Sequence, residues 1–271
     1  MLGLAVLCAA FQHGHEIKFV VKDEGSVSYK VWGNVFRTYA GGKRAPGIRN
    51  ADVNGVYQLS FKRRADGFDI VGSWDALKLS SHGRPLPESD RMRATFGKWM
   101  GPAPAGPFEF LVNGQAGEPT LYSALCWPLI WSPFPPGYAL RIGDEAKRDF
   151  LLPTHPFLED DPVPPVKIPV RLVFEGPETE GKERYFRFRF ETDSHEEVDA
   201  NHPEKKGLKL KVDAMIRGSL QIRREDGRIE SIAMFAKLVF VLTQPGNEFP
   251  FSRADGSISA NWRRIADEKR K

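Results

Sequence analysis

At 271 residues, 41% of them hydrophobic and including 19 Phe and 6 Trp, the chain has the material for a buried core and is not a disordered polypeptide. Its 39 basic and 35 acidic residues leave a formal charge of only +4, spread along the chain, which argues against nucleic acid as a partner. The length suits one large β domain or two smaller ones.

The N-terminus opens with an apolar run, Leu2, Leu4, Ala5, Val6, Leu7, Cys8, Ala9 and Ala10, followed by Gln12, His13 and His15. The run is too short to span a bilayer and matches the apolar part and small-residue cleavage zone of a secretory signal peptide at residues 1–10, although no Lys or Arg precedes it. The competing reading is a buried first strand. Export would place the protein in the periplasm, in the cell envelope or outside the cell; without a signal it is cytoplasmic. Leu7 before Cys8 departs from a lipoprotein signal. Cleavage after Ala10 would begin the mature chain Phe11-Gln12-His13, whose amine and third-position histidine suit square-planar Cu(II). No other segment reads as a membrane span. With Cys8 removed, Cys126 is alone; flanked by Leu125 and Trp127, it reads as an inert buried thiol.

The first half reads as strands at Ile17–Val21, Val27–Val31, Val56–Phe61 and Phe68–Leu79, the last two joined by Ala65-Asp66-Gly67. Pro102, Pro104 and Pro107 precede a short strand, Phe108–Val112, and an Asn113-Gly114 turn. Thr120–Ile130 reads as a short helix. Trp127, Trp131, Phe134 and Tyr138, set among prolines, form either a groove for a lipid, glycan or extended peptide or a loop packed over a sheet end. Prolines at 153, 156, 162, 164, 165 and 169 place a boundary near residue 160, dividing residues 11–160 from residues 161–271 unless the whole is one large β domain.

The clearest strand is Arg184–Glu191, where Phe186, Phe188 and Phe190 alternate with Tyr185, Arg187, Arg189 and Glu191. Alternation continues through Leu208, Leu210, Val212, Ala214 and Ile216, then Leu220 and Ile222, a Glu225-Asp226-Gly227 turn and the run Ile229–Leu242. Ser259–Arg270 reads as a polar C-terminal helix. Arg253-Ala254-Asp255-Gly256 echoes the Arg-rich lead-in of the two Asp-Gly turns, through duplication or through convergent turn chemistry. The expected fold is mainly β, with antiparallel meanders forming two curved sheets or half-barrels and one or two short helices.

Chemistry is sparse. Glu159-Asp160-Asp161 and Glu196-Glu197 with Asp199 offer carboxylate pairs of the kind glycoside hydrolysis uses, but in segments that read as loops. His195, Glu197, Asp199 and His202, with Glu196 among them, gather potential metal ligands within eight residues, without the four-residue histidine spacing of a helical zinc site. Ser123, Ser132 and Ser194 lack a nucleophile elbow, and no glycine-rich phosphate loop occurs, so no cofactor is expected.

The order of an exported N-terminus, an Asp-Gly hairpin half, Phe134-Pro135-Pro136-Gly137 leading to Gly143-Asp144, and a meander ending in Gly218–Leu242 resembles uncharacterised exported β-rich bacterial proteins similar to the half-barrels of periplasmic lipoprotein carriers. The resemblance implies a concave apolar face for an acyl chain or a partner's hydrophobic segment; Phe186, Phe188 and Phe190 either line that cavity or form the core under a covering helix. The expected function is non-enzymatic binding of an apolar ligand or protein partner, and the alternative is an extracytoplasmic hydrolase acting on a polymer through its carboxylates.

Overall fold

The structure is a computed structural model and describes residues 15–16, 25–41, 44–65, 67–88, 91, 95–103, 109–117, 122, 125–126, 139–152, 154, 158, 163, 166–200, 206–244, 246 and 250–265. The strands are β1 (His15–Glu16), β2 (Gly25–Gly41), β3 (Arg44–Arg64), β4 (Gly67–Ser81), β5 (Arg84–Pro85), β6 (Gly97–Ala103), β7 (Glu109–Val112), β8 (Gln115–Ala116), β9 (Ala139–Leu140), β10 (Glu145–Leu152), β11 (Val166–Glu180), β12 (Glu183–Asp199), β13 (Lys209–Arg223), β14 (Ile229–Thr243) and β15 (Ser252–Arg264). A small ribbon pairs β1 with β9. All the other strands form one open antiparallel sheet in the order β10-β11-β12-β13-β14-β15-β2-β3-β4-β6-β7-β8, with β5 added beside β4.

The two meanders expected from the sequence are therefore edge-joined rather than stacked. Strand β15 pairs with β2 from Ser252 opposite Gly41 to Arg264 opposite Tyr29. Tyr29 Oη, on the buried face, donates to the Ile229 carbonyl at 2.9 Å and reaches across the seam.

Side-chain alternation gives the sheet one apolar face. On β12 it presents Phe186, Phe188 and Phe190; on β13 Leu210, Val212, Ala214, Ile216, Leu220 and Ile222; on β14 Ile232 to Leu242 at every second residue. The same face continues through Val27, Tyr29, Val31 and Val35 on β2 and Val53, Tyr57, Leu59 and Phe61 on β3. Three single-residue bulges bend the sheet while keeping the alternation in phase, and the extra residue of each is acidic: Asp75 in β4, Glu175 in β11 and Glu230 in β14; a further register shift, without an acidic residue, lies between Tyr39 and Gly41 where β2 meets β3.

Aromatic rings fill places where the inner face carries no side chain. A Cβ at Gly218 would run into the Phe190 ring opposite it, and one at Gly97 into the Phe110 ring. Each glycine is a seat for its neighbour's ring. The turns obey local chemistry: Asn113 and Gly114 have φ of 53° and 80°, as a tight hairpin requires, and Gly227 closes the β13–β14 turn at φ 69°.

Three expectations are corrected. Residues Ser259–Arg264 are strand, not helix: Ala260 and Trp262 enter the core and Ser259, Asn261 and Arg263 face out, because both edges of β15 are paired. Strand β12 runs on to Asp199, so Glu196, Glu197 and Asp199 lie in a strand and not in a loop. Arg253–Gly256 lies within β15, so its likeness to the Asp-Gly turns is compositional. Helical residues do occur at Glu88, Arg91 and Thr95, where Arg91 pairs with Glu88 at 2.6 Å. Tyr122, within the helix expected at Thr120–Ile130, is helical too.

Candidate functional site

The inner face is built around the β12 phenylalanines. Phe174 on β11 packs edge-on to Phe186 at 5.6 Å between ring centres and tilted against Phe188 at 5.2 Å. Beside Phe190 is a cavity of about 20 Å³ lined by Phe150, Val170, Phe190, Ile216, Leu220, Ile232 and Met234. It has room for about one water, but no polar side chain lines it to hold one.

Residues outside the large sheet join the apolar core. Leu125, Cys126, Leu140, Leu158 and Val163 are buried with the sheet's apolar residues. Cys126 lies fully buried near Trp262 and Tyr57; burial pushes its thiol well above the ordinary value, as expected of an inert cysteine. Trp127, Trp131, Phe134 and Tyr138 lie outside the described residues, as do His13, His202 and Glu159-Asp160-Asp161.

One end of the inner face is polar. Asp226 is approached by three guanidinium groups, Arg264 at 3.8 Å, Arg228 at 3.9 Å and Arg223 at 4.0 Å, and it accepts the Arg228 backbone N–H at 3.0 Å. Arg228 and Arg224 in turn lie over the rings of Phe61 and Phe186, at 4.9 and 5.1 Å. These arginines come from the Arg-rich hairpin flank that the sequence displays and from the end of β15. Only the pairing of β13, β14 and β15 brings them to one carboxylate.

The outer face carries an ion-pair lattice. Arg171 joins Glu145 and Glu191, and Arg187 joins Glu175 and Glu178. Of the metal set, His195, Glu197 and Asp199 share the outer face of β12, since they are two residues apart. Each faces a partner on β13: His195 Nδ1 lies 2.6 Å from Asp213, Glu197 lies 3.5 Å from Lys211, and Asp199 lies 2.6 Å from Lys209. Asp213 holds the His195 imidazole above its ordinary range, which favours the cation over a neutral metal ligand. Glu196 points the other way and accepts the Ser194 hydroxyl at 2.6 Å. The adjacent carboxylates Glu196 and Glu197 are thus on opposite faces of one strand.

Among the described residues no helix is long and apolar enough to cross a membrane. No protein-family model and no curated protein matches the chain. Among solved structures it aligns with DynF from the dynemicin biosynthesis pathway of Micromonospora chersina, at 10% identity and a TM-score of 0.20 over 91% of this chain and 88% of that one. It aligns also with a LolA superfamily protein, NE2245 from Nitrosomonas europaea, at 10% identity and a TM-score of 0.18 over 97% of this chain and 95% of that one. At those scores neither neighbour bears on what this chain binds.

Proposed function

We propose that this chain is a non-enzymatic binding protein whose inner sheet face receives an apolar ligand, with an acyl chain as the chemistry that suits it best. The observation that carries the reading is the small cavity beside Phe190, whose lining is wholly apolar. Its volume of about 20 Å³ is a foothold rather than a full site, so a ligand gains room by displacing Leu125, Leu158 and Val163. On this reading Trp127, Trp131, Phe134 and Tyr138 are further ligand-binding residues, and residues 1–10 are an export signal. The polar end around Asp226 would face a ligand's headgroup.

The test is native mass spectrometry of the full chain purified from its host, followed by uptake of a fluorescent fatty acid by the delipidated protein. A lipid-sized adduct and saturable uptake are expected. Both should weaken in Ile216→Phe, which fills the cavity, while circular dichroism stays that of a β protein. An empty chain that takes up no fatty acid overturns the reading.

A further inference from the structure

On the outer face, opposite the apolar one, the sheet carries a groove that the binding reading does not use. It has a volume of about 270 Å³ and is walled by Trp32, Glu180, Tyr185, Glu230, Asn261 and Arg263. Register explains the assembly. Asn261 on β15 stands directly opposite Trp32 on β2, and Arg263 two residues on stands opposite Ser231 on β14. Ala233, opposite Asn261 on its other side, keeps the floor low. Trp32 is a large indole left 38% exposed, on an outer face that also exposes Phe36 and Phe235 among its charges; of these three rings only Trp32 lines the groove.

We propose that this groove is a saccharide-binding site, in which the Trp32 indole stacks on the C–H face of an uncharged pyranose ring while Asn261 and Arg263 hydrogen-bond its hydroxyls. Such a ring needs an apolar platform on one side and donors together with acceptors at its rim, and the groove offers that combination. Asn261 makes no side-chain hydrogen bond with another described residue, and Arg263 is attracted electrostatically to the Glu230 carboxylate without a close contact among the described residues. Acceptors line the groove too: the Glu180 and Glu230 carboxylates, and the Ser231 hydroxyl oxygen, whose proton goes to Gln221 at 2.5 Å. Charge selects among ligands. A polyanion would meet Glu180 and Glu230, and an acyl chain would strand the polar rim unpaired, whereas a neutral polyol satisfies both signs. Burial raises the Glu230 carboxyl above its ordinary range, consistent with its place at a bulge that turns it into the groove wall.

The test is affinity electrophoresis and calorimetry of the full chain against cellohexaose, laminarihexaose, chitohexaose and mannohexaose, with heparin as the polyanionic arm. At least one neutral oligosaccharide should bind, with little dependence on salt. Its affinity should fall about tenfold or more in Trp32→Ala and in Asn261→Ala, and survive largely in Trp32→Phe. Because Trp32 and Asn261 face outward, all three variants should keep the wild-type circular dichroism spectrum; should Trp32→Ala misfold, the contrast between Asn261→Ala and Trp32→Phe carries the test. Failure of the wild type to bind any neutral sugar, binding to heparin alone, or affinity undiminished in Asn261→Ala and Trp32→Ala overturns the proposal. The fatty-acid experiment reads the opposite face, so the two results are independent.

Discussion

The two faces of β12 differ residue by residue. Phe188 is fully buried against Phe174, while Arg187 beside it stands half-exposed between Glu175 and Glu178. Burying a phenylalanine side chain is worth roughly 1.5–3 kcal/mol. An exposed ion pair is worth about 0–1 kcal/mol, because solvent screens it and two long side chains lose freedom in forming it. One face therefore holds the sheet together, and the other is free to carry recognition at little cost to stability. That division is why an indole and an unpaired amide can persist at Trp32 and Asn261.

The contrast breaks most sharply at Phe188. Phe188→Ala should lose about 3–5 kcal/mol in urea denaturation, whereas Arg187→Ala next to it should lose less than about 1 kcal/mol. Equal losses would mean that the outer lattice is as structural as the core. A finer probe is Gly218→Ala, whose Cβ meets both the Ala233 carbonyl oxygen and the Phe190 ring; overpacking of this kind should cost about 1–3 kcal/mol, and Phe190→Leu should recover only the ring's part of it in the double variant. The smallest effect belongs to His195. Asp213 raises its folded pKa above the ordinary 6.5, so the stability from the pair is fully present below 6.5 and is lost as pH rises through the folded value. Histidine NMR titration of Asp213→Asn should show the His195 midpoint moving down toward 6.5, and the variant should lose its excess destabilisation at high pH.

Period-two patterning made several elements legible. Phe186, Phe188 and Phe190 could share a face only in a strand, and Asn113-Gly114 and Asp226-Gly227 announced hairpins through residues that tolerate positive φ. Cys126 among apolar neighbours was readable as buried for the same local reason. Ser259–Arg264 misled because Ser, Ala, Asn and Arg suit a polar helix as well as a strand with a modest inner face; two paired edges decided it. The charges of Glu197 and Asp199 suggested a loop, yet a strand with its outer face in solvent accommodates them when Lys211 and Lys209 stand opposite.

The candidate sites show the same limit more strongly. Trp32 and Asn261 are separated by most of the chain, and so are Phe61 and Arg228; no local pattern joins either pair. By itself the sequence determined that the chain makes antiparallel strands with one apolar face, because alternation and turn chemistry act between neighbours. Only the tertiary structure decided that two meanders become one sheet, that the acidic residues at the bulges bend it, and which distant side chains share the outer groove. Strand order depends on pairing edges far apart in sequence, and an unpaired edge carries no mark of its eventual partner.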